Sequence, residues 1–239
     1  MTRIETFFIS GPAGRIECML KRSDSPGATG GAATEAGRSA ATTGGPKAAV
    51  AEPAVAVICH PHPLFGGTMH NKVVHAAAEA ISESGLPVLR FNFRGVGRSD
   101  GKHDGGRGEQ DDLRTVMDHL SRTFPGKPLL VAGYSFGAYV ALHVGSRDDR
   151  AVALIGIGLP LSLVGFGFLR ESAKPLAIIQ GDRDEFGPLP QIMALAAALP
   201  GGARVVVVKD APHNFAGRLD VLARRVTEAI PEALRAGPL

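Results

Sequence analysis

The amino-acid sequence opens with two short runs in which apolar and polar residues alternate. The runs are "IETFFIS" and "RIECMLK", and the turn-forming residues Gly-Pro-Ala-Gly separate them. Alternation with a period of two is typical of a strand with one buried face, and two such runs joined by a short turn predict a β-hairpin. The chain is therefore expected to begin with two antiparallel strands.

From Ala54 onwards, continuous apolar runs alternate with helix-like segments. The apolar runs are "AVAVICH", "PVLRFNF", "PLLVAGY", "AVALIGIG", "PLAIIQG" and "RVVVVKD". Such runs are typical of strands that are covered on both faces. Helices are predicted at residues 71–84, about 108–122, 135–145, about 190–199 and about 217–236. This alternation predicts an α/β fold, with a mostly parallel sheet of about eight strands and helices on both faces.

One segment departs from this pattern. Residues 23–53 are rich in Gly, Ala, Ser and Thr and lack large apolar side chains. Such a segment buries too little apolar surface to offset the entropy lost on ordering it. We therefore predict a mobile insert at residues 23–53 within a single domain that covers residues 1–239.

Composition narrows the classes of partner. The net charge is only +3, tryptophan is absent and no dense basic run occurs, so we expect no nucleic-acid partner. Two cysteines, Cys18 and Cys59, are expected to be buried thiols.

The N-terminus lacks a signal-peptide pattern, which favours a cytoplasmic protein. The uncharged stretch Ala151–Leu169 is near the minimum length for a membrane span, but four glycines and Pro160 favour a buried strand and loop.

The pattern Gly-x-Ser-x-Gly occurs twice, in "GRSDG" with Ser99 and in "GYSFG" with Ser135. In sheets of this kind ligands bind beyond the carboxyl ends of the strands. Ser135 directly follows the strand "PLLVAGY" and begins a helix, which is the context of a nucleophile elbow. Ser99 comes several residues after its strand, and a loop follows it. We therefore predict that Ser135 is the nucleophile and that Ser99 belongs to a structural turn.

A serine nucleophile needs a base, and an acid that orients the base. His213 follows the strand "RVVVV" and is the predicted base, whereas His143 lies inside the helix that starts at Ser135. The loop after "PLAIIQG" supplies the candidate acids Asp182, Asp184 and Glu185. The residues alone do not decide between these acids, and Asp210 is a further rival that lies close to His213 in sequence.

Negative charge on the reacting oxygen requires two hydrogen-bond donors. The N–H of Phe136, at the start of the helix, is one expected donor. The second is expected in the loop "HPHPLFGG", where Pro61 and Pro63 have no N–H, so the candidate donors are His62, Leu64 and Phe65.

The histidines of "HPH", His60 and His62, also fit an alternative role as a zinc pair. A zinc site would need further ligands on later strands and would leave Ser135 and His213 without a role. We expect no metal and no other cofactor.

The blocks "CHPHPLFGGTMHNKVV", "LRFNFRGVGRSDG", "AGYSFGAYVA", "GDRDEFGP" and "APHNF" resemble the α/β-hydrolase superfamily, and more narrowly a bacterial group of small, lidless hydrolases and esterases. The resemblance covers nearly the whole chain apart from residues 23–53. Its Gly-x-x-Asp pattern, which starts at Gly181, implies that Asp184 is the acid, with Asp182 as the second choice. It also implies that "HPHPLFGG" is the oxyanion loop, without deciding between His62 and Leu64.

The resemblance implies a serine hydrolase, most simply a carboxylesterase that cleaves small or short-chain acyl esters through an acyl-enzyme. Where many relatives carry a helical lid, this chain has room only for a loop, which implies an open pocket with an apolar wall. The alternatives are other acyl chemistry, by a peptidase, thioesterase or acyltransferase, and a non-catalytic binding module. The expected partner is a small-molecule ester, no membrane partner is expected, and a homodimer stays open.

Overall fold

The computed structural model describes residues 3–22, 54–231 and 234, and within them one sheet of eight strands runs through the molecule. The predicted insert at residues 23–53 lies outside the described residues, and the single domain of residues 1–239 stays a prediction. The strands are β1 (Arg3–Gly11), β2 (Gly14–Arg22), β3 (Val55–Cys59), β4 (Val88–Phe91), β5 (Leu129–Tyr134), β6 (Ala151–Ile157), β7 (Leu176–Gly181) and β8 (Arg204–Val208).

Helices cover both faces of this sheet, as the alternating pattern predicts. They are α1 (Lys72–Glu83), α2 (Arg107–Thr123), α3 (Phe136–Gly145), α4 (Leu189–Ala197) and α5 (Leu219–Ala229). Apolar side chains of α2, α3 and α4 pack on one face, and those of α1 and α5 pack on the other. Strands β3 and β5 are buried at every position because helices cover them on both sides, which explains why their sequences are continuously apolar.

The order of strands across the sheet is β1-β2-β4-β3-β5-β6-β7-β8. The N-terminal hairpin pairs antiparallel with itself and with β4, and the six strands from β4 to β8 in this order are parallel. From β3 the chain passes to β4 on one side and then to β5 on the other. The loops after β3 and β5 therefore diverge at the carboxyl edge, and this point of an α/β sheet forms a binding crevice.

The last helix is shorter than its sequence pattern predicts. The expected helix reached about residue 236, but α5 ends at Ala229 and Ile230 is extended, with ψ of 123°. The next residue is Pro231, whose ring disfavours the helical conformation of the residue before it. The prediction was therefore wrong at this end, because the proline signal outweighs the helical pattern.

The uncharged stretch from Ala151 to Leu169 contains β6 and the first part of a short 3₁₀ helix, Gly167–Glu171. It therefore forms a buried strand followed by a loop, as predicted. In the described part of the chain, no helix combines the length and the apolar character needed to cross a membrane.

Candidate active site

Ser135 occupies a sharp turn between β5 and α3. Its φ of 56° and ψ of −121° lie outside the usual range for residues with a side chain. A Cβ atom on Gly133 would lie 2.1 Å from the carbonyl oxygen of Gly137, and one on Gly137 would lie 2.4 Å from the carbonyl oxygen of His60. Glycine is therefore required at both positions, and the chain forms at Ser135 the strand, sharp turn and helix that its sequence context predicts.

Two side chains from distant loops meet the Ser135 hydroxyl. His213, in the loop after β8, places Nε2 2.9 Å from Ser135 Oγ. Asp184, in the loop after β7, places Oδ2 2.8 Å from His213 Nδ1. The three side chains thus form one hydrogen-bonded row at the carboxyl edge of the sheet, in the order serine, imidazole, carboxylate.

The surroundings of Asp184 distinguish it from the other acids of its loop. Its carboxylate is buried, and its Oδ1 accepts hydrogen bonds from the N–H groups of Phe186 at 2.9 Å and Gly187 at 3.1 Å. Asp182 is exposed, and Glu185 reaches only the backbone N–H of His213, at 3.4 Å. Asp210 forms ion pairs with arginines of the surface, Arg183 and Arg218. Of the four candidates, Asp184 is the one whose carboxylate contacts the His213 imidazole among the described residues.

Gln180 is a polar residue of this site that the sequence analysis did not single out. It is fully buried in β7, and its Nε2 donates to Asp184 Oδ2 at 2.8 Å and to the carbonyl oxygen of Gly187 at 2.9 Å. Its Oε1 accepts the N–H of Leu159 at 2.9 Å. Because its amide is fully used, Gln180 holds the Asp184 carboxylate in place. The available signal was a glutamine at the end of an otherwise apolar strand.

Replacing Gln180 with methionine should lower the turnover of any substrate processed at Ser135 by roughly ten- to hundredfold, because a hydrogen bond to a charged group is lost. We expect the fall in kcat, with KM nearly unchanged, because Gln180 acts through Asp184. The matched control is Gln191→Met, at an exposed glutamine on α4. A change in KM without a fall in kcat would contradict this role. Equal changes in kcat for Gln180→Met and Gln191→Met would contradict it too.

Two further side chains contact His213, one at its backbone and one at its ring. The phenol of Tyr134, the residue before Ser135, donates to the carbonyl oxygen of His213 at 3.1 Å. Burial raises the pKa of this phenol, so it stays a neutral donor. The ring of Phe186 packs edge-on against His213 with the ring centres 4.8 Å apart. Tyr134 thus holds the backbone of His213 and Phe186 packs against its ring, while the hydrogen bond from Nδ1 to Asp184 directs Nε2 towards Ser135.

The loop after β3 contains a single 3₁₀ turn, Pro63–Phe65. The N–H of Leu64 donates to His62 Nδ1 at 3.2 Å, and the N–H of Phe65 donates to the carbonyl oxygen of His62 at 3.1 Å. Neither the N–H of His62 nor that of Phe136 has an acceptor among the residues that the structure describes. Of the predicted donors, His62 and Phe136 are therefore available for an incoming oxygen, whereas Leu64 and Phe65 are engaged within the loop.

His60 fixes the direction of that His62 N–H. Its ring is fully buried, Nδ1 lies 2.7 Å from the carbonyl oxygen of Pro61, and Nε2 accepts the N–H of Phe93 at 3.0 Å. The peptide between Pro61 and His62 is planar and trans, so its N–H points away from the carbonyl that His60 holds. Sequence reasoning gave His60 no such role, and a histidine at the end of a buried strand was the only signal.

Burial lowers the pKa of His60 to about 4, although the carbonyl of Pro61 acts in the opposite direction. In the unfolded chain the His60 ring takes up a proton near its ordinary pKa of 6.5, whereas in the folded protein it does not. Because only the unfolded ring gains a proton in this range, the stabilising effect of the neutral, buried His60 is complete above pH 6.5. It is lost as the pH falls towards 4.

We expect the loss to reach about 3 kcal/mol of unfolding free energy. The variant His60→Gln cannot titrate, so the stability difference between wild type and variant should narrow as the pH falls. Urea denaturation at a series of pH values measures this difference, in which the titration of other histidines cancels. Parallel stability curves for the two proteins would show that His60 does not titrate in this way.

The remaining sequence candidates have structural surroundings. Ser99 is buried, its hydroxyl donates to the carbonyl oxygen of Asn92 at 2.7 Å, and it accepts the N–H of Glu17 at 2.9 Å. His143 lies on α3 and packs against Phe168, with ring centres 4.7 Å apart. These contacts place Ser99 in a structural turn. They also show that His143 is a helix residue that packs against a neighbouring ring.

The zinc alternative for His60 and His62 finds no support in this geometry. Both ring nitrogens of His60 are engaged by backbone groups, so no lone pair is left for a metal ion. In residues 3–22, 54–231 and 234, no group of three or more histidine, cysteine, aspartate or glutamate side chains has an arrangement suited to a metal.

The sequence of residues 55–232 matches the family described as "Alpha/beta hydrolase domain". The chain belongs to the α/β hydrolases. An alpha-beta serine hydrolase homologue from Coxiella burnetii is 36% identical, with a TM-score of 0.80 over 97% of this chain and 99% of that one. An a/b serine hydrolase without lid from Xanthomonas campestris is 32% identical, with a TM-score of 0.82 over 100% of this chain and 98% of that one.

A more distant relative is the mitochondrial palmitoyl-protein thioesterase ABHD10 of Rattus norvegicus. It is 30% identical over 99 residues, which are 40% of this chain and 32% of that protein. The family, the eight-stranded sheet and the N-terminal hairpin agree with the fold class that the sequence predicts.

Proposed function

We propose that this α/β hydrolase is a serine esterase that cleaves carboxylic esters through an acyl-enzyme. The observation that carries the proposal is the row Ser135–His213–Asp184, with 2.9 Å between the serine oxygen and the imidazole and 2.8 Å between the imidazole and the carboxylate. A serine hydroxyl becomes a nucleophile only when a base takes its proton as it attacks, and this row supplies the base and its orienting acid.

In the proposed acylation, Ser135 Oγ attacks the ester carbonyl and its proton passes to His213 Nε2. Asp184 accepts the hydrogen bond from Nδ1, holds this tautomer and stabilises the imidazolium that forms. The carbonyl oxygen becomes an oxyanion, which the N–H groups of His62 and Phe136 stabilise. Each donor contributes about 3 kcal/mol to the transition state.

His213 then donates its proton to the leaving-group oxygen as the ester C–O bond breaks, and the alcohol departs. A water molecule repeats the sequence on the acyl-enzyme. His213 takes the proton of the water, the oxyanion forms again, and the acid is released as Ser135 Oγ recovers a proton. The residues named here balance every proton that moves, so this mechanism requires no further group.

Exposed apolar side chains around Ser135 favour esters with apolar parts. Phe65 is 86% exposed and Leu64 is 71% exposed on the loop after β3, whereas Phe186 lies on the opposite side against His213. The loop between β6 and β7 contains one 3₁₀ helix where a lid would need a longer helical segment. A small-molecule ester therefore reaches Ser135 through an open, apolar rim.

A thioesterase is the second candidate, because the relative ABHD10 is a palmitoyl-protein thioesterase. The same three side chains cleave a thioester by the same steps, with a thiol as the leaving group. Peptidase and acyltransferase activity, a cytoplasmic location and a homodimer remain predictions that no observation favours further.

A fluorophosphonate probe tests the proposal directly, because it reacts with an activated serine. We expect one labelled residue, Ser135, identified by mass spectrometry, and turnover of short-chain nitrophenyl esters. Parallel assays with thioesters of the same acyl groups rank the two candidates by kcat/KM. A folded protein that neither reacts with the probe nor turns over any ester would support the binding-module alternative instead.

A further inference from the structure

A second histidine–carboxylate pair lies near Ser135, in the segment between β4 and α2. His103 Nδ1 lies 2.8 Å from Glu109 Oε1, and the side chain of Glu109 is completely buried. Glu109 also accepts the backbone N–H groups of Asp104 at 2.9 Å and Gly106 at 2.8 Å. A carboxylate that receives such donors is an acceptor, so His103 Nδ1 carries the hydrogen. Its Nε2 has no partner among the described residues.

The ring of His62 lies beside His103, with ring centres 4.7 Å apart. Both rings pack against Phe136, the residue after Ser135, at 4.9 Å and 5.5 Å. Because His62 Nδ1 accepts the N–H of Leu64, the hydrogen of a neutral His62 ring lies on Nε2. Burial and the nearby His103 lower the pKa of His62, which favours its neutral form. The Nε2 atoms of His62 and His103 thus have no hydrogen-bond partner among the described residues, and the proposed mechanism uses neither.

The position of this pair relates it to one part of the substrate. His62 and His103 follow β3 and β4, which lie on one side of β5, whereas His213 follows β8 on the other side. The leaving group must lie towards His213, which protonates it. The oxyanion points to the N–H groups of His62 and Phe136, and the acyl chain takes the remaining direction, away from the leaving group. The side chains of His62 and His103 lie on the side of β5 opposite to His213, so they are placed to meet the acyl part and not the leaving group.

We propose that His62 and His103 form a subsite for a carboxylate group carried by the acyl part of the substrate. This inference rests on the proposed function, because it assigns a substrate class to the same site. One carboxylate oxygen accepts the hydrogen of His62 Nε2. In the proposed complex the other oxygen accepts a hydrogen from Nε2 of the His103 imidazolium, whose Nδ1–H the buried Glu109 accepts.

The other charges near the pair are compatible with an anionic ligand. Lys102 precedes His103, Arg107 begins α2, and both are exposed. Asp104 accepts the N–H of Gly108 at 3.2 Å, so its carboxylate is directed to the helix start. Arg94 is held by the buried Asp112 through a 2.8 Å ion pair. Glu109 is the only carboxylate bonded to either imidazole in the described part of the chain.

Methyl esters test this subsite, with monomethyl succinate, glutarate and adipate as the probes. Each is compared with a neutral ester in which an isopropyl group of similar shape replaces the carboxylate. At least one carboxylate ester should have a kcat/KM about tenfold or more above that of its neutral counterpart, because hydrogen bonds to a charged group are gained. Chromatography of the released acids measures both rates.

The ratio of the two rates removes the steps at Ser135 and His213 that both esters share. His103→Leu should reduce the ratio to near one, and His103→Gln provides a second variant that keeps a polar side chain. The control His70→Leu, at an exposed histidine before α1, should keep the wild-type ratio.

Three outcomes are distinguishable. A preference for one or more carboxylate esters that depends on His103 supports the subsite. Turnover of the neutral esters with no carboxylate preference at any pH overturns the subsite and leaves the proposed function intact. A folded, purified protein that cleaves neither set and does not react with the fluorophosphonate probe overturns the proposed function, and the subsite with it.

Discussion

Replacing Ser135 with alanine should lower kcat/KM for ester hydrolysis by about 10⁴-fold or more, while the folded structure persists. In the proposed mechanism this hydroxyl attacks the ester carbonyl, and no other hydroxyl is bonded to the imidazole of His213 among the described residues. Serine already adopts a φ of 56° at this position, and alanine has the same Cβ without the hydroxyl, so alanine can occupy the turn. Initial rates with a short-chain nitrophenyl ester, together with a thermal melt, measure both effects.

The matched control is Ser99→Ala, at the other serine of the pattern Gly-x-Ser-x-Gly. Its hydroxyl bonds only to backbone groups of Asn92 and Glu17. Removing it takes this partner from the N–H of Glu17 and from the carbonyl oxygen of Asn92, so we expect a loss of about 2 kcal/mol in stability with the active-site geometry retained. Comparable esterase rates for wild type and Ser135→Ala, at full purity, would refute the assignment of the nucleophile.

Replacing Asp184 with asparagine should lower kcat by about 10⁴-fold. Oδ1 of Asp184 receives the N–H groups of Phe186 and Gly187, so the amide oxygen of asparagine would take this place. The amide nitrogen would then face His213 Nδ1, which would have to accept a hydrogen bond. The proton of His213 would move to Nε2, and that nitrogen could no longer take the proton of Ser135.

The control for this prediction is Asp182→Asn, in the same loop but exposed. It should keep kcat within about threefold of the wild-type value, because surface charges contribute little. Asp182 was the second choice for the acid from the sequence resemblance. A large loss at residue 182 with little loss at residue 184 would therefore reverse the assignment.

The pattern of the chain determined the layers of the fold and the order of their elements. Short continuous apolar runs are typical of strands covered on both faces, so β3 and β5 were predictable from the runs "AVAVICH" and "PLLVAGY". The strand–serine–helix context also selected Ser135 over Ser99, since only a turn directly after a strand can raise a side chain above the sheet edge. The end of α5 was missed because one residue, Pro231, outweighed a helical pattern.

The tertiary structure decided everything that depends on direction and distance. The residues of the loop after β7 do not separate Asp182, Asp184 and Glu185, because neighbours in a loop differ only in where the backbone points them. Three-dimensional contacts likewise show that the N–H of His62 is available and that of Leu64 is engaged. The support by Gln180, and the pairing of His103 with Glu109 beside His62, join residues from separate segments. Sequence determines which groups are present, but hydrogen bonds act over about 3 Å, and only the folded chain establishes which groups come that close.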